Sequence, residues 1–165
     1  MNGDLKTSFA PVTDAETRVL ILGSLPGDAS LSAGRYYAHP RNQFWRLMEG
    51  VTDQDLSAQS YPARLDALRA AGVGLWDVIG SAERAGSLDG AIRRHTANPL
   101  AELAARLPAL RAIGFNGGKA FSLGRRLFGE APIFDLVPLP SSSPAHAVSF
   151  ERKLEAWVGL RRYLA

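Results

Sequence analysis

The stretch Val19-Leu20-Ile21-Leu22-Gly23-Ser24-Leu25-Pro26-Gly27 joins a short apolar run to a loop of Gly, Ser and Pro residues. Four apolar residues without alternation are typical of a strand that is buried on both faces of a parallel sheet. The loop has the composition of a tight turn, so the strand ends there. Loops at the carboxyl ends of parallel strands share one crevice in which ligands bind. We therefore expect residues 23–27 to border a ligand site.

Three more apolar runs of strand length follow, at residues 73–79, 112–115 and 133–137. Helical patterns lie between and after these runs, at residues 100–107, after Gly117-Gly118 and at residues 154–164. Strands that alternate with helices predict an α/β fold, a three-layer α/β/α sandwich with a central short parallel sheet. At 165 residues the chain fits one domain over residues 1–165, and we expect residues 1–15 to be a loosely ordered N-terminal extension.

The composition excludes several classes of protein. The chain has no cysteine, which rules out disulfides, thiolate-held iron–sulfur clusters and thiol catalysis. Its three histidines are scattered, so we expect no metal and no cofactor. No apolar stretch approaches the roughly 20 residues of a membrane helix, and no apolar signal core is present at the N-terminus. These features favour a cytoplasmic protein.

A second loop of turn-forming residues, Leu139-Pro140-Ser141-Ser142-Ser143-Pro144-Ala145-His146-Ala147, follows the last apolar run. The parallel sheet would bring it close to the loop at residues 23–27. Its three serines are either a turn before a helix or a set of hydroxyls and amides that grip a DNA phosphate. Clusters of basic residues, such as Arg93-Arg94 and Arg125-Arg126, permit a polyanionic partner but are also common on solvated surfaces.

Four polar or aromatic side chains between these loops have two interpretations each. Asn42 precedes Phe44-Trp45, where we expect a helix to begin, so it is either a helix cap or an amide that orients a base or a water. Tyr36 and Tyr37 either stack on a base or pack in the core. Lys119 follows a glycine-rich turn that either caps a helix or holds a phosphate.

Five blocks of sequence carry a family resemblance: Gly-Ser-Leu-Pro-Gly-Asp-Ala-Ser-Leu (23–31), Tyr-Tyr-Ala-His-Pro-Arg-Asn-Gln-Phe-Trp (36–45), Gly-Val-Gly-Leu-Trp-Asp-Val-Ile (72–79), Phe-Asn-Gly-Gly-Lys (115–119) and Leu-Pro-Ser-Ser-Ser-Pro-Ala-His-Ala (139–147). In this order they resemble the uracil-DNA glycosylase superfamily, and most of all its hypoxanthine-DNA (deoxyinosine) glycosylase branch. The similarity implies a monofunctional DNA glycosylase of base-excision repair. Such an enzyme flips hypoxanthine out of DNA, removes it by hydrolysis and leaves an abasic site.

The resemblance also implies which residues act. The mismatch-specific relatives place a catalytic Asn where this chain has Leu25, so the deoxyinosine branch points instead to Asn42 as the catalytic residue. The implied base pocket comprises Gly23, Ser24, Leu25, Pro26, Gly27, Tyr36, Tyr37 and Asn116. The implied DNA-binding residues are Lys119, Ser141, Ser142, Ser143, Pro144, Ala145 and His146. The implied partner is double-stranded DNA that contains a deaminated base, bound by a monomer away from any membrane.

Three alternatives stay open at this stage. The same fold and pocket would also suit removal of uracil or xanthine. A non-catalytic DNA- or nucleotide-binding module would explain the absence of an Asn at Leu25. A small α/β hydrolase using Ser24, His146 and Asp77 is a more distant possibility, because the sequence lacks a recognised nucleophile elbow.

Overall fold

The computed structural model describes residues 5–130 and 132–165. Its strands are β1 (Leu5–Thr7), β2 (Val19–Gly23), β3 (Val73–Asp77), β4 (Ile79–Glu83), β5 (Arg93–Ala97), β6 (Ala112–Asn116) and β7 (Asp135–Leu139). Its α-helices are α1 (Asp28–Ala33), α2 (Phe44–Thr52), α3 (Tyr61–Ala70), α4 (Leu100–Ala105), α5 (Gly118–Gly124) and α6 (Phe150–Trp157). Short 3₁₀ helices span Asp89–Ala91, Arg125–Phe128 and Val158–Tyr163.

The central sheet is parallel, with the strand order β3-β2-β6-β7. Its register places Gly23 opposite Asp77, and Asn116 opposite Leu139. The carboxyl ends of all four strands therefore lie along one edge of the sheet. This edge is where the sequence places both of its turn-rich loops.

Two hydrophobic cores cover the two faces of the sheet. Val19 and Ile21 of β2 point to a core that includes residues of α2, α3 and α6, whereas Leu20 and Leu22 point to a core with residues of α4 and α5. Each of these fully buried side chains contributes roughly 1.5–3 kcal/mol to folding. The predicted three-layer α/β/α sandwich with a parallel sheet is confirmed.

A second, antiparallel sheet has the order β1-β4-β5. The predicted strand at residues 73–79 divides at Val78, so that β3 joins the parallel sheet and β4 joins this smaller one. Residues 5–15 differ from the loosely ordered extension that we expected. β1 pairs with β4, and Val12 exchanges two backbone hydrogen bonds of 2.9 Å with Leu75 on the edge strand β3. Open strand edges thus hold this segment, while residues 1–4 of the expected extension lie outside the described residues.

The last strand is shifted by two residues from the predicted run at residues 133–137. Ile133 is 99% exposed and lies before β7, which continues instead through Pro138 to Leu139. Proline is tolerated there because β7 is an edge strand and one side of its backbone needs no hydrogen bond. Within the described ranges, no helix is long and apolar enough to cross a membrane.

Candidate active site

A cavity of about 500 Å³ opens at the carboxyl ends of the parallel strands. Both turn-rich loops line it, the first with residues 23–27 and the last with residues 141–146. The other predicted site residues that line it are Tyr36, Tyr37, Asn42, Asn116 and Lys119. The structure therefore brings every predicted site residue to one place.

A buried arginine holds the first loop in position. Arg84 is 0% exposed, and its guanidinium donates hydrogen bonds to the carbonyl oxygens of Leu25, Pro26 and Gly86. Burial lowers the pKa of Arg84, and the neighbouring carboxyl groups, Asp28 foremost, oppose that shift. The loop backbone is thus fixed from behind by a charge that solvent does not reach.

The Ser24 hydroxyl in the same loop is hydrogen-bonded to a carboxylate. Its Oγ donates a 2.5 Å hydrogen bond to Oδ1 of Asp89. A serine hydrolase would need this proton to be accepted by a histidine, so the arrangement does not support the hydrolase alternative. Leu25 is buried and supplies an apolar wall to the cavity.

Asp77 stands at the end of β3 and lines the cavity, although it is only 3% exposed. Its Oδ2 and the hydroxyl of Tyr37 are buried without a hydrogen-bond partner in the part of the chain that the structure describes. Both groups crowd Gly23, where a Cβ atom would lie 2.7 Å from Oδ1 of Asp77 and 3.2 Å from the Tyr37 hydroxyl. Only glycine leaves them room.

Burial is also what sets the protonation state of Asp77. It raises the pKa of this carboxyl to about 8, and the charge of Asp89 adds to the shift while Arg84 opposes it. A carboxyl with such a pKa is neutral at pH 7 and carries a proton that it can donate. The cavity therefore holds a carboxylic acid where the sequence alone would suggest a carboxylate.

Two adjacent tyrosines form the wall between this carboxyl and α2. Tyr37 has a left-handed backbone (φ 54°) and stacks on Phe44 with ring centroids 3.8 Å apart. Burial and the charge of Asp77 raise its pKa, and Asn116, which faces the hydroxyl without a hydrogen bond of standard geometry, offsets part of that. Tyr36 donates its hydroxyl proton to the Ala10 carbonyl and packs in the core.

The Asn42 side chain contacts the first residue of α2 and also lines the cavity. Its Oδ1 accepts a 2.9 Å hydrogen bond from the backbone N–H of Phe44, the first residue of α2. The side chain also lines the cavity, and its Nδ2 has no hydrogen-bond partner among residues 5–130 and 132–165. Because the oxygen is held by the helix, the free nitrogen is a donor in a defined position.

The base of the last loop is attached to the sheet and to α2. Asn116 donates from Nδ2 to the Ser142 hydroxyl at 2.9 Å and accepts at Oδ1 from the Ser142 N–H at 2.8 Å. The Ser142 carbonyl in turn accepts from the N–H of Gln43, beside Asn42. Ser142 is 1% exposed, so the structure gives it a positioning contact inside the protein rather than an open face toward DNA.

A buried lysine joins the same loop to α6. Lys153 is 1% exposed, and its ammonium donates to Oε1 of Gln43 at 2.9 Å and to the Ser143 carbonyl at 3.1 Å. Burial lowers its pKa. Trp157, on the same helix, donates its indole N–H to the Pro140 carbonyl. Both ends of this loop segment are therefore tied to buried groups.

The tip of the last loop is exposed, at Pro144, Ala145 and His146. The hydroxyl oxygens of Ser141 and Ser143 accept backbone N–H groups within the loop, which leaves their protons directed elsewhere. Lys119, at the start of α5, lies on the cavity wall. Contact of these residues with DNA stays a prediction.

Comparison with known proteins decides the family. The family model described as the uracil DNA glycosylase superfamily matches residues 10–164. The chain belongs to the uracil DNA glycosylase superfamily. The superfamily match therefore covers both loops and every strand of the parallel sheet.

Two superfamily members with curated names are similar over nearly the whole chain. One is a hypoxanthine DNA glycosylase of Methanosarcina barkeri, 38% identical over 92% of this chain and 95% of its own. The other is a hypoxanthine DNA glycosylase of Methanosarcina acetivorans, 36% identical over 96% of this chain and 99% of its own. A solution NMR structure from Methanosarcina acetivorans, described as a uracil DNA glycosylase, is 36% identical with a TM-score of 0.87, covering 98% and 99% of the two chains.

Sequence reasoning missed three charged groups that shape this superfamily site, and it considered Asp77 only for the hydrolase alternative. The missed residues are the buried Arg84 and Lys153 and the partly buried Asp89. The sequence did carry a signal for Asp77, because it is a charged residue inside the apolar run at residues 73–79. For Arg84 and Lys153 the sequence carries no such signal, because each lies among ordinary charged residues.

Proposed function

We propose that this superfamily member is a DNA glycosylase that removes hypoxanthine from deoxyinosine in DNA and leaves an abasic site. The single observation that carries the proposal is the cavity at residues 23–27 and 141–146, which combines the free amide donor of Asn42 with a volume of about 500 Å³. A purine fits in such a volume, which lies within the roughly 300–1,000 Å³ of small-molecule sites. The two curated relatives named hypoxanthine DNA glycosylase support the choice of base.

The cavity is reached by a base only after the base leaves the helix. Extrusion costs a few kcal/mol of stacking and pairing, and less for a weakly paired inosine. The exposed tip at Pro144, Ala145 and His146 is placed to fill the gap that the base leaves. Because the base of this loop is held by Asn116 and Lys153, the tip would enter DNA while the base of the loop keeps its position.

The reaction replaces the bond between C1′ and N9 with a bond from C1′ to a water oxygen. The bonding electron pair leaves with the base, and the proton lost by the water balances the charge of the departing base. The sugar becomes oxocarbenium-like, so hydrogen-bond donors to the base accelerate the step more than a strong nucleophile would. The Nδ2 of Asn42, which lines the cavity, would be such a donor to the base.

The proposed DNA contacts lie around the mouth of the cavity. Lys119, Ser141, Ser143 and His146 are the candidates, and they would bind phosphates without reading sequence. We infer that the partner is double-stranded DNA and that the enzyme acts as a monomer. A cysteine-free sequence is compatible with the reducing cytoplasm, which is the compartment that we propose.

A panel of labelled duplexes tests this function. Each duplex contains one deoxyinosine, deoxyuridine or deoxyxanthosine, and an undamaged duplex serves as the control. Strand scission after alkali is expected first for deoxyinosine. No scission of any duplex, despite measurable binding, would contradict catalysis and favour a DNA-binding module.

Uracil is the second candidate base, because the similar NMR structure is described as a uracil DNA glycosylase. Faster scission of the deoxyuridine duplex than of the deoxyinosine duplex would favour it.

A parallel reaction without alkali tests the monofunctional chemistry, since Lys119 on the cavity wall offers an amine. Scission without alkali would indicate β-elimination and contradict simple hydrolysis.

A further inference from the structure

The carboxyl of Asp77 is an exception to the way that buried polar groups are normally placed. Most such groups have a hydrogen-bond partner, and an unpaired one is costly. Oδ2 of Asp77 has none among the described residues, and neither has the neighbouring hydroxyl of Tyr37. Both residues line the cavity, with these two atoms buried behind its surface. Because no hydrogen bond among the described residues uses Oδ2 of Asp77, its partner is to be sought in what the cavity binds.

We propose that Asp77 is a catalytic residue that donates a hydrogen bond from its neutral carboxyl to the extruded base and stabilises that base as it departs. This inference rests on the proposed glycosylase function. It gives the first loop a chemical purpose, since Gly23 leaves the space in which the carboxyl and the Tyr37 hydroxyl stand.

The groups that face Asp77 determine its protonation. Arg84 lies behind the first loop and favours the charged form, whereas the charge of Asp89 and burial favour the neutral form. Tyr36 and Tyr37 face it from the segment before α2, and burial first, with the charge of Asp77 second, raises the pKa of both phenols. Lys119, His39 and His146 line the same cavity. Burial dominates this balance, and the pKa of about 8 leaves the carboxyl protonated at neutral pH.

Bound DNA would strengthen the neutral form further. A base that fills the cavity displaces water, and DNA phosphates at the mouth of the cavity add negative charge. Both effects oppose ionisation of a carboxyl. A neutral carboxyl presents one O–H donor. Hypoxanthine offers acceptors at O6, N3 and N7, and each gains electron density when the bond to C1′ breaks. The hydrogen bond is therefore stronger in the transition state than in the bound substrate, which is the requirement for catalysis.

The test compares single-turnover excision of hypoxanthine by wild type, Asp77→Asn and Asp77→Ala between about pH 6 and about pH 9.5. The wild-type rate should fall by up to about tenfold per pH unit once the pH exceeds the pKa of the carboxyl in the DNA complex, which lies at or above the value of about 8 in the free protein. Asn keeps a donor that does not titrate, so Asp77→Asn should remain within about tenfold of wild type at neutral pH and lose less rate above it. Asp77→Ala should be slower by about 10²-fold with DNA affinity retained.

Two results would overturn the role of Asp77. A wild-type rate that rises through about pH 8, together with an inactive Asp77→Asn, would make the carboxylate the acting form. If the single-turnover rate of Asp77→Ala equals that of wild type, Asp77 takes no part in catalysis. Ionisation of the base itself affects wild type and Asp77→Asn alike, so their difference isolates Asp77. Wild type that excises no base contradicts the proposed function instead, which keeps the two failures distinct.

Discussion

The two loops that border the cavity are held in opposite ways. The first, residues 23–27, is buried along most of its length and is fixed by the internal cation Arg84. The last, residues 141–146, is fixed only at its base, by Asn116 and Lys153, and its tip is exposed. The difference separates two tasks. Groups that act on a base need fixed positions in a dry site, whereas groups that enter DNA need a free surface.

The largest expected effect is on stability, when the support of the first loop is removed. Arg84→Met leaves three carbonyl oxygens without their donor and Asp89 without a nearby cation. We expect a loss of about 3–5 kcal/mol in the free energy of unfolding, as for other broken buried charge networks. Urea denaturation measures it.

Arg94→Met is the matched control, because Arg94 is exposed and its only ion pair in the described ranges, with Glu83, spans 3.8 Å. Such a pair contributes at most about 1 kcal/mol. Equal losses for the two arginine variants would contradict the claim that the first loop is fixed from inside.

Next in size is the effect of Asn42→Ala on catalysis. We expect a loss of about 10²–10³-fold in the single-turnover rate, because a fixed donor to the base or water disappears. The same change should cost about 1 kcal/mol in stability, since the Phe44 N–H loses its acceptor.

Asn42→Asp separates the two roles of this residue. The carboxylate still accepts from the Phe44 N–H but offers no donor, so stability should be kept while activity is lost. A fully active Asn42→Asp would show that the free amide nitrogen is not what the reaction uses.

Per pH unit, a smaller effect is expected for the pH dependence of stability. The pKa of Asp77 is raised in the folded state from 3.8 to about 8, so the folded state holds its proton more tightly than the unfolded chain. Wild-type stability should therefore fall, by up to about 1.4 kcal/mol per pH unit, between about pH 4 and about pH 8. Asp77→Asn has no such proton. The free energy of unfolding of the variant, relative to wild type, should therefore rise across that window and become constant above it. Thermal unfolding at a series of pH values measures this difference. Melting temperatures of the two proteins that change with pH in the same way would contradict the raised pKa.

The smallest effects distinguish the base of the last loop from its tip. Ser142→Ala should cost about 1–3 kcal/mol in stability, because the buried Nδ2 of Asn116 loses its acceptor. His146→Ala, at the exposed tip, should change stability by less than about 0.5 kcal/mol and weaken binding to a deoxyinosine duplex a few-fold. If His146→Ala destabilises the fold as much as Ser142→Ala does, the base and the tip of the last loop do not differ in how firmly they are held.

Much of the architecture could be predicted from sequence, because continuous apolar runs and turn residues report on strands and their ends. The run from Val19 to Leu22 and the helix after Pro99 are examples. The position of β7 could not be predicted. At this sheet edge the apolar Ile133 is exposed outside the strand, whereas Pro138, a residue that usually ends strands, lies inside it. The residues of the cavity could be named because they follow strand ends. What each one does could not, because the burial of Asp77 and the pairing of Asn116 with Ser142 depend on segments that are distant in sequence.

The most direct measurement of the central claim is the identity of the molecule that wild-type protein releases from a deoxyinosine duplex. Chromatography with mass detection resolves the free base from the nucleoside and the nucleotide. The account predicts free hypoxanthine in a one-to-one ratio with abasic sites. Release of deoxyinosine or its nucleotide, or of no product at all, would contradict it.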